Sequence, residues 1–181
     1  MIKNFLFTAL TAVFVFVLTL SSRADQGTTS AVFLKLEQGA RPIAMGGAYT
    51  AVADDVHSIL WNPAGLSRLQ GFEVSFMHTM WFADIFYDYL ALAYPAGEIG
   101  TFGLSVVYVN SGDIKKWDIA GNPQGSFSSS DLGFGISYGT SINKDLSLGV
   151  TIKLFNSSID DKGAFGFAGD LGAIYTTPVE G

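Results

Sequence analysis

From residue 72 onward the chain breaks into strand-sized pieces in which bulky apolar residues alternate with small or polar ones at a period of two. In residues 101–109, Phe102, Leu104, Val106 and Tyr108 share one face, while Thr101, Gly103 and Ser105 share the other. In 131–141, Leu132, Phe134, Ile136 and Tyr138 alternate with Asp131, Gly133, Gly135, Ser137 and Gly139. In 146–154, Leu146, Leu148, Val150, Ile152 and Leu154 alternate with Ser147, Gly149, Thr151 and Lys153. In 165–175, Phe165, Phe167, Leu171 and Tyr175 alternate with Gly166, Ala168, Asp170 and Gly172. Two further pieces, 72–81 and 85–94, are aromatic on both faces. The pattern predicts six antiparallel strands in an all-β fold.

Such alternation has two possible causes. In a soluble sandwich the bulky face is the core. In a membrane barrel the bulky face meets lipid and the small face lines the lumen. Three features favour the barrel. The pieces have about the 9–11 residues a tilted strand needs to cross a bilayer. The charges Asp131, Lys153 and Asp170 all fall on the small face. Aromatic residues (Trp81, Tyr94, Tyr108, Phe155, Tyr175) gather near the ends of the pieces, where interfacial girdles lie. The links also differ in length. Those around residues 95–97 and 143–145 are short, and those at 110–128 and 156–163 are long and polar, as on the two sides of an outer-membrane barrel. The link around 82–84 breaks that alternation by being short. Six strands cannot close a barrel, so the sequence predicts the first part of a larger one over residues 72–181.

Composition sharpens this picture. Hydrophobic residues make up 49% and charged residues 14% of the 181 positions, with 15 Phe and 21 Gly. That is too apolar and aromatic for a disordered chain. There is no cysteine, which excludes thiol catalysis, disulfides and Cys-ligated metal. A net charge of −6, with no basic cluster beyond Lys115-Lys116, argues against nucleic acid as a partner. Residues 1–24 read as a Sec-type signal peptide: Lys3, then an apolar run, then Ser22-Arg23-Ala24 at the cleavage site. An exported chain without cysteine fits a bacterial envelope.

Residues 25–71 do not alternate. Gly46-Gly47 permits a sharp turn with positive φ. Asp54 or Asp55 is placed to cap a short helix through His57, Ile59 and Leu60. Asn62 as cap with Pro63 at the first helical position is a preferred pair, with Gly65 as the predicted stop. The two glycines are no phosphate loop, since neither GxGxxG nor a Walker lysine is present. Asp54, Asp55 and His57 lack a second histidine for a metal site. Ser58, His57 and Asp55 stand too close in sequence to converge as a triad. No catalytic group, metal or cofactor is expected, and the charges Asp131, Lys153 and Asp170 read as structural pairs in a lumen.

The string Gly39-Ala40-Arg41, then AMGGAYTAVADD, then WNPAGL, over residues 36–70, resembles the N-terminal segment of the PorV/PorQ family of outer-membrane proteins, related to FadL-type transporters. The resemblance implies a barrel of about fourteen strands with residues 25–71 tucked inside as a hatch. Asn62, Pro63 and Ala64 would be the hatch element, with Gly46 and Gly47 shaping its turn and Asp54 and Asp55 within the motif. It implies a non-enzymatic protein in contact with outer-membrane lipid, of which this chain is an N-terminal part. The implied role is protein secretion or surface attachment of secreted client proteins by a type IX-like route. The alternative is passive transport of fatty acids or other hydrophobic small molecules, with Trp81, Phe82, Phe86 and Tyr87 as candidates for an apolar pocket.

Overall fold

A computed structural model describes residues 31–177. The predicted signal segment, residues 1–24, lies outside the described residues. Eight strands form: β1 (Glu73–Met80), β2 (Phe86–Pro95), β3 (Thr101–Asn110), β4 (Ile114–Trp117), β5 (Pro123–Phe127), β6 (Ser129–Ser141), β7 (Leu146–Ile159) and β8 (Lys162–Tyr175). Six of them make one antiparallel sheet in the order β1-β2-β3-β6-β7-β8, and β4 pairs only with β5. The six predicted pieces are the six strands of the main sheet.

The alternation becomes two unlike faces. One carries Phe76, Leu104, Phe134, Ile136, Ile152, Phe167 and Leu171, all exposed. The other carries Tyr89, Ala91, Gly103, Ser105, Gly135, Ser137 and Thr151, covered by residues of the N-terminal segment. Most of the bulky strand side chains thus lie outside the core. The core forms between Phe33, Val56, Ile59, Leu66 and Leu69 of the N-terminal segment and Tyr87, Tyr89, Ala91, Ala93 and Val107 of the sheet. Fold class is therefore all-β, with an inward face of small residues joined by Tyr87, Tyr89 and Phe155. Among the described residues β1 and β8 are free edges, and the sheet is open.

Three local expectations are corrected, and one long link holds a hairpin that the pattern did not show. The link predicted as long at 156–163 is a tight turn at Asp160-Asp161, because Asn156, Ser157 and Ser158 continue β7 in register with Phe165, Ala164 and Gly163. Polar side chains do not interrupt an extended backbone whose amides are paired. The link at 110–128 is long, and within it β4 and β5 pair as a hairpin, Ile114 opposite Phe127. Its turn is held by the Asp118 carboxylate, which accepts from the N–H groups of Ala120 (2.9 Å) and Asn122 (2.8 Å). These bonds, those from Asn122 first, hold the Asp118 carboxyl below its ordinary range. Gly65 does not stop a helix: a 3-10 turn runs through it over Pro63–Arg68. Phe155 does not join an outward girdle. It turns inward, its ring 6.1 Å edge-on from that of Phe33.

Candidate functional site

The site is the seat of the N-terminal segment on the small-residue face. Gly139 stands opposite Gly149, and Gly149 opposite Gly172, so three glycines from β6, β7 and β8 line up across the sheet. Glycine inside a strand marks a place where another backbone comes close. Here that backbone is the Asn62-Pro63-Ala64 step. A methyl group at Gly149 would overlap the carbonyl carbon of Pro63 and the nitrogen of Ala64. One at Gly139 would lie 2.5 Å from the Pro63 oxygen, and one at Gly172 would overlap the Asn62 side-chain oxygen. Smaller contacts repeat the principle: Ile59 sits on Gly103 and Phe33 on Gly133.

Asn62 does three jobs. Its side-chain oxygen accepts the Ala64 N–H (3.2 Å), which caps the turn that Pro63 begins. Its Nδ2 donates to the Thr50 carbonyl (2.9 Å) and to the Ala173 carbonyl of β8 (3.3 Å). The segment is tied to the sheet at two further points. Thr151 Oγ1 donates to the Ile59 carbonyl (3.3 Å), and Glu73 of β1 accepts the Val56 N–H (2.8 Å). Anchors on β1, β7 and β8 spread the segment over the width of the sheet.

Both acids of the motif face Arg41, Asp55 at 3.4 Å. Asp54 pairs with Arg41, whose guanidinium lies 5.3 Å over the Tyr49 ring. That bond to Asp54 holds the Arg41 guanidinium protonated above its ordinary range. Asp55 accepts the His57 N–H (2.8 Å) just before the short Ser58–Trp61 helix. Gly46 and Gly47 have φ of 63° and 77°, the left-handed values that favour glycine.

His57 stands between segment and sheet. Its Nε2 is 3.3 Å from Ser75 Oγ on β1, and its ring lies 6.0 Å from that of Tyr89. Burial pushes its pKa below the ordinary histidine value, against the pull of Asp55 and Glu73. Its Nδ1, the Ser58 hydroxyl and the hydroxyls of Tyr87 and Tyr89 have no hydrogen-bond partner among the described residues.

Lys153 and Asp170 lie on the same small-residue face and pair at 2.6 Å, the lysine nearly buried. Asp131 lies on that face too, near its far end, opposite Val109 and Ser157. The four aromatic residues considered for one apolar pocket do not share it. Tyr87 is buried under the N-terminal segment, while Trp81 and Phe86 line a cleft on the bulky face.

The glycine seat, Thr151 and Glu73 are contacts of the N-terminal segment that motif reading missed. The signal was present in the glycines recurring at alternate strand positions, but their alignment depends on register.

No curated protein and no solved structure shows a significant match to this chain. A family model does match, over residues 9–164, and the chain accordingly belongs to the uncharacterised protein family UPF0164.

Proposed function

We propose that this chain supplies wall and plug of a non-enzymatic bacterial outer-membrane β-barrel, exported by a Sec signal peptide, and that the plugged wall serves the passage of hydrophobic molecules. The supporting observation is the inversion of the sheet. Its bulky apolar side chains are exposed while inward glycines, serines and Lys153, paired with Asp170, lie under the N-terminal segment. A soluble protein seldom exposes an apolar patch beyond a few hundred Å². A lipid-facing wall requires one. On this reading a closed wall needs strands beyond these six on the edges of β1 and β8, because unpaired amides in hydrocarbon cost several kcal/mol each.

Room for passage lies in two spaces beside the plug. One cleft of about 460 Å³, partly polar, lies between Thr50, Leu60, Trp61, Asn62 and Asp170 of β8, and another of about 220 Å³ lies between Leu34–Gln38 and Trp61. A PorV/PorQ-type role in protein secretion draws its support from the motif string of residues 36–70 alone.

The test is fractionation followed by transport. The full chain should resist alkaline extraction from membranes, and long-chain fatty acid should enter vesicles that contain it faster than protein-free ones. A mature polypeptide recovered as a detergent-free monomer would overturn the membrane reading. Uptake equal to that of empty vesicles would remove the transport role and leave the secretion role standing.

A further inference from the structure

One part of the bulky face is not purely apolar. His78 on β1 and Asp88 on β2 are cross-strand partners on that face, His78 Nδ1 lying 2.6 Å from Asp88 Oδ1. They border a cleft of about 440 Å³ at the tip of the β1-β2 hairpin, whose walls include Met80, Trp81, Ile85 and Phe86 and whose rim includes Asp84. Asp84 is held there by an unusual backbone. Ala83 and Asp84 are both left-handed, with φ of 57° and 60°. The Trp81 N–H donates to the Ile85 carbonyl (2.7 Å) across that turn. Gly112, itself at φ 63°, presses against Asp84, and a methyl group there would lie 3.2 Å from the Asp84 carbonyl oxygen.

The geometry points to a binding site for an amphiphile with a primary ammonium head. Asp84, together with the Asp88 oxygen that is not bonded to His78, attracts a cation and repels an anion. Indole and phenyl faces add cation–π attraction for the same head, and Met80 and Ile85 offer apolar surface to the tail. A fatty acid would place its carboxylate against Asp84 and Asp88, so this cleft selects against the cargo proposed for the plugged side. The inference rests on the cleft alone and does not require barrel closure.

The test uses the full chain in nonionic detergent, titrated with dodecylamine, dodecanoate and dodecanol. The readout is the fluorescence of Trp81, taken as wild type minus W81F. Dodecylamine should shift the emission to saturation, with the other two at least about tenfold weaker. D84N and D88N should each weaken dodecylamine about fivefold or more, and D84E should restore it. Circular dichroism on each variant separates lost binding from lost folding, with D84E and the alcohol series still decisive if one variant misfolds. Equal response to all three head groups, or no effect of D84N and D88N in folded protein, would overturn the site. Competition by phosphatidylethanolamine vesicles but not phosphatidylglycerol vesicles supports a lipid head as the natural occupant. Binding of dodecylamine without that competition supports a free amine.

Discussion

At position 149 the sheet and the N-terminal segment approach so closely that glycine is the only side chain with room. G149A forces the Pro63-Ala64 peptide away from β7. Overpacking of this kind costs about 1–3 kcal/mol, and the loss should fall on the docking of the segment rather than on the strands. Hydrogen exchange at the Ala64 amide should quicken while that of the paired amides in β6 and β7 stays slow. Unchanged exchange at Ala64 would mean the seat is looser than the geometry states. N62A removes the cap and the donor to Ala173 together. A lost cap alone costs about 1 kcal/mol, and limited proteolysis between residues 44 and 66 should quicken.

At the scale of elements, the N-terminal segment should respond to acid through His57. Its pKa in the folded protein lies below the value it has when unfolded, about 6.5. The folded state therefore binds fewer protons between the two values, and stability falls as pH falls into that window. Burial is the main cause of the shift, with Asp55 and Glu73 opposing it, and Ser75 and the Tyr89 ring the other neighbours. Lowering the pH from about 7.5 to about 5.5 should increase protease access to the segment in wild type and less so in H57Q. A pH response of equal size in both would exclude His57 as its source. The same element shows how far motif reading reaches. The Asn62-Pro63 start and the Gly46-Gly47 turn were legible because they use local backbone chemistry. The end of the turn was not, because Gly65 is needed for a distant neighbour: a methyl group there would lie 2.5 Å from the Ala53 carbonyl oxygen.

At the scale of the whole molecule, the two faces of the sheet make opposite demands on substitution. I136K and I152K place charge in the middle of the exposed apolar face. If that face meets lipid, each costs about 2–4 kcal/mol at mid-membrane depth, and the double variant should lose membrane association in fractionation. If it meets water, the same variant should become more soluble and no less stable to urea. K153M acts on the other face. It leaves Asp170 without its partner at 2.6 Å and should destabilise the folded protein wherever the sheet resides. Urea unfolding of K153M with an unchanged midpoint would show that the pair contributes nothing net.

The sequence by itself determined the strands and the face each side chain takes, because a period of two follows from the geometry of an extended chain. Lys153, Asp170 and the alternating glycines were assigned to one face on that ground alone. Tertiary structure decided what covers that face and where. Gly139, Gly149 and Gly172 meet only through the register of three strands, and Asn62 reaches Ala173 across more than a hundred residues of chain. It also decided that residues 156–159 and 162–163 stay extended on either side of the turn at Asp160-Asp161, since a polar run becomes strand when a neighbouring backbone offers partners for its amides.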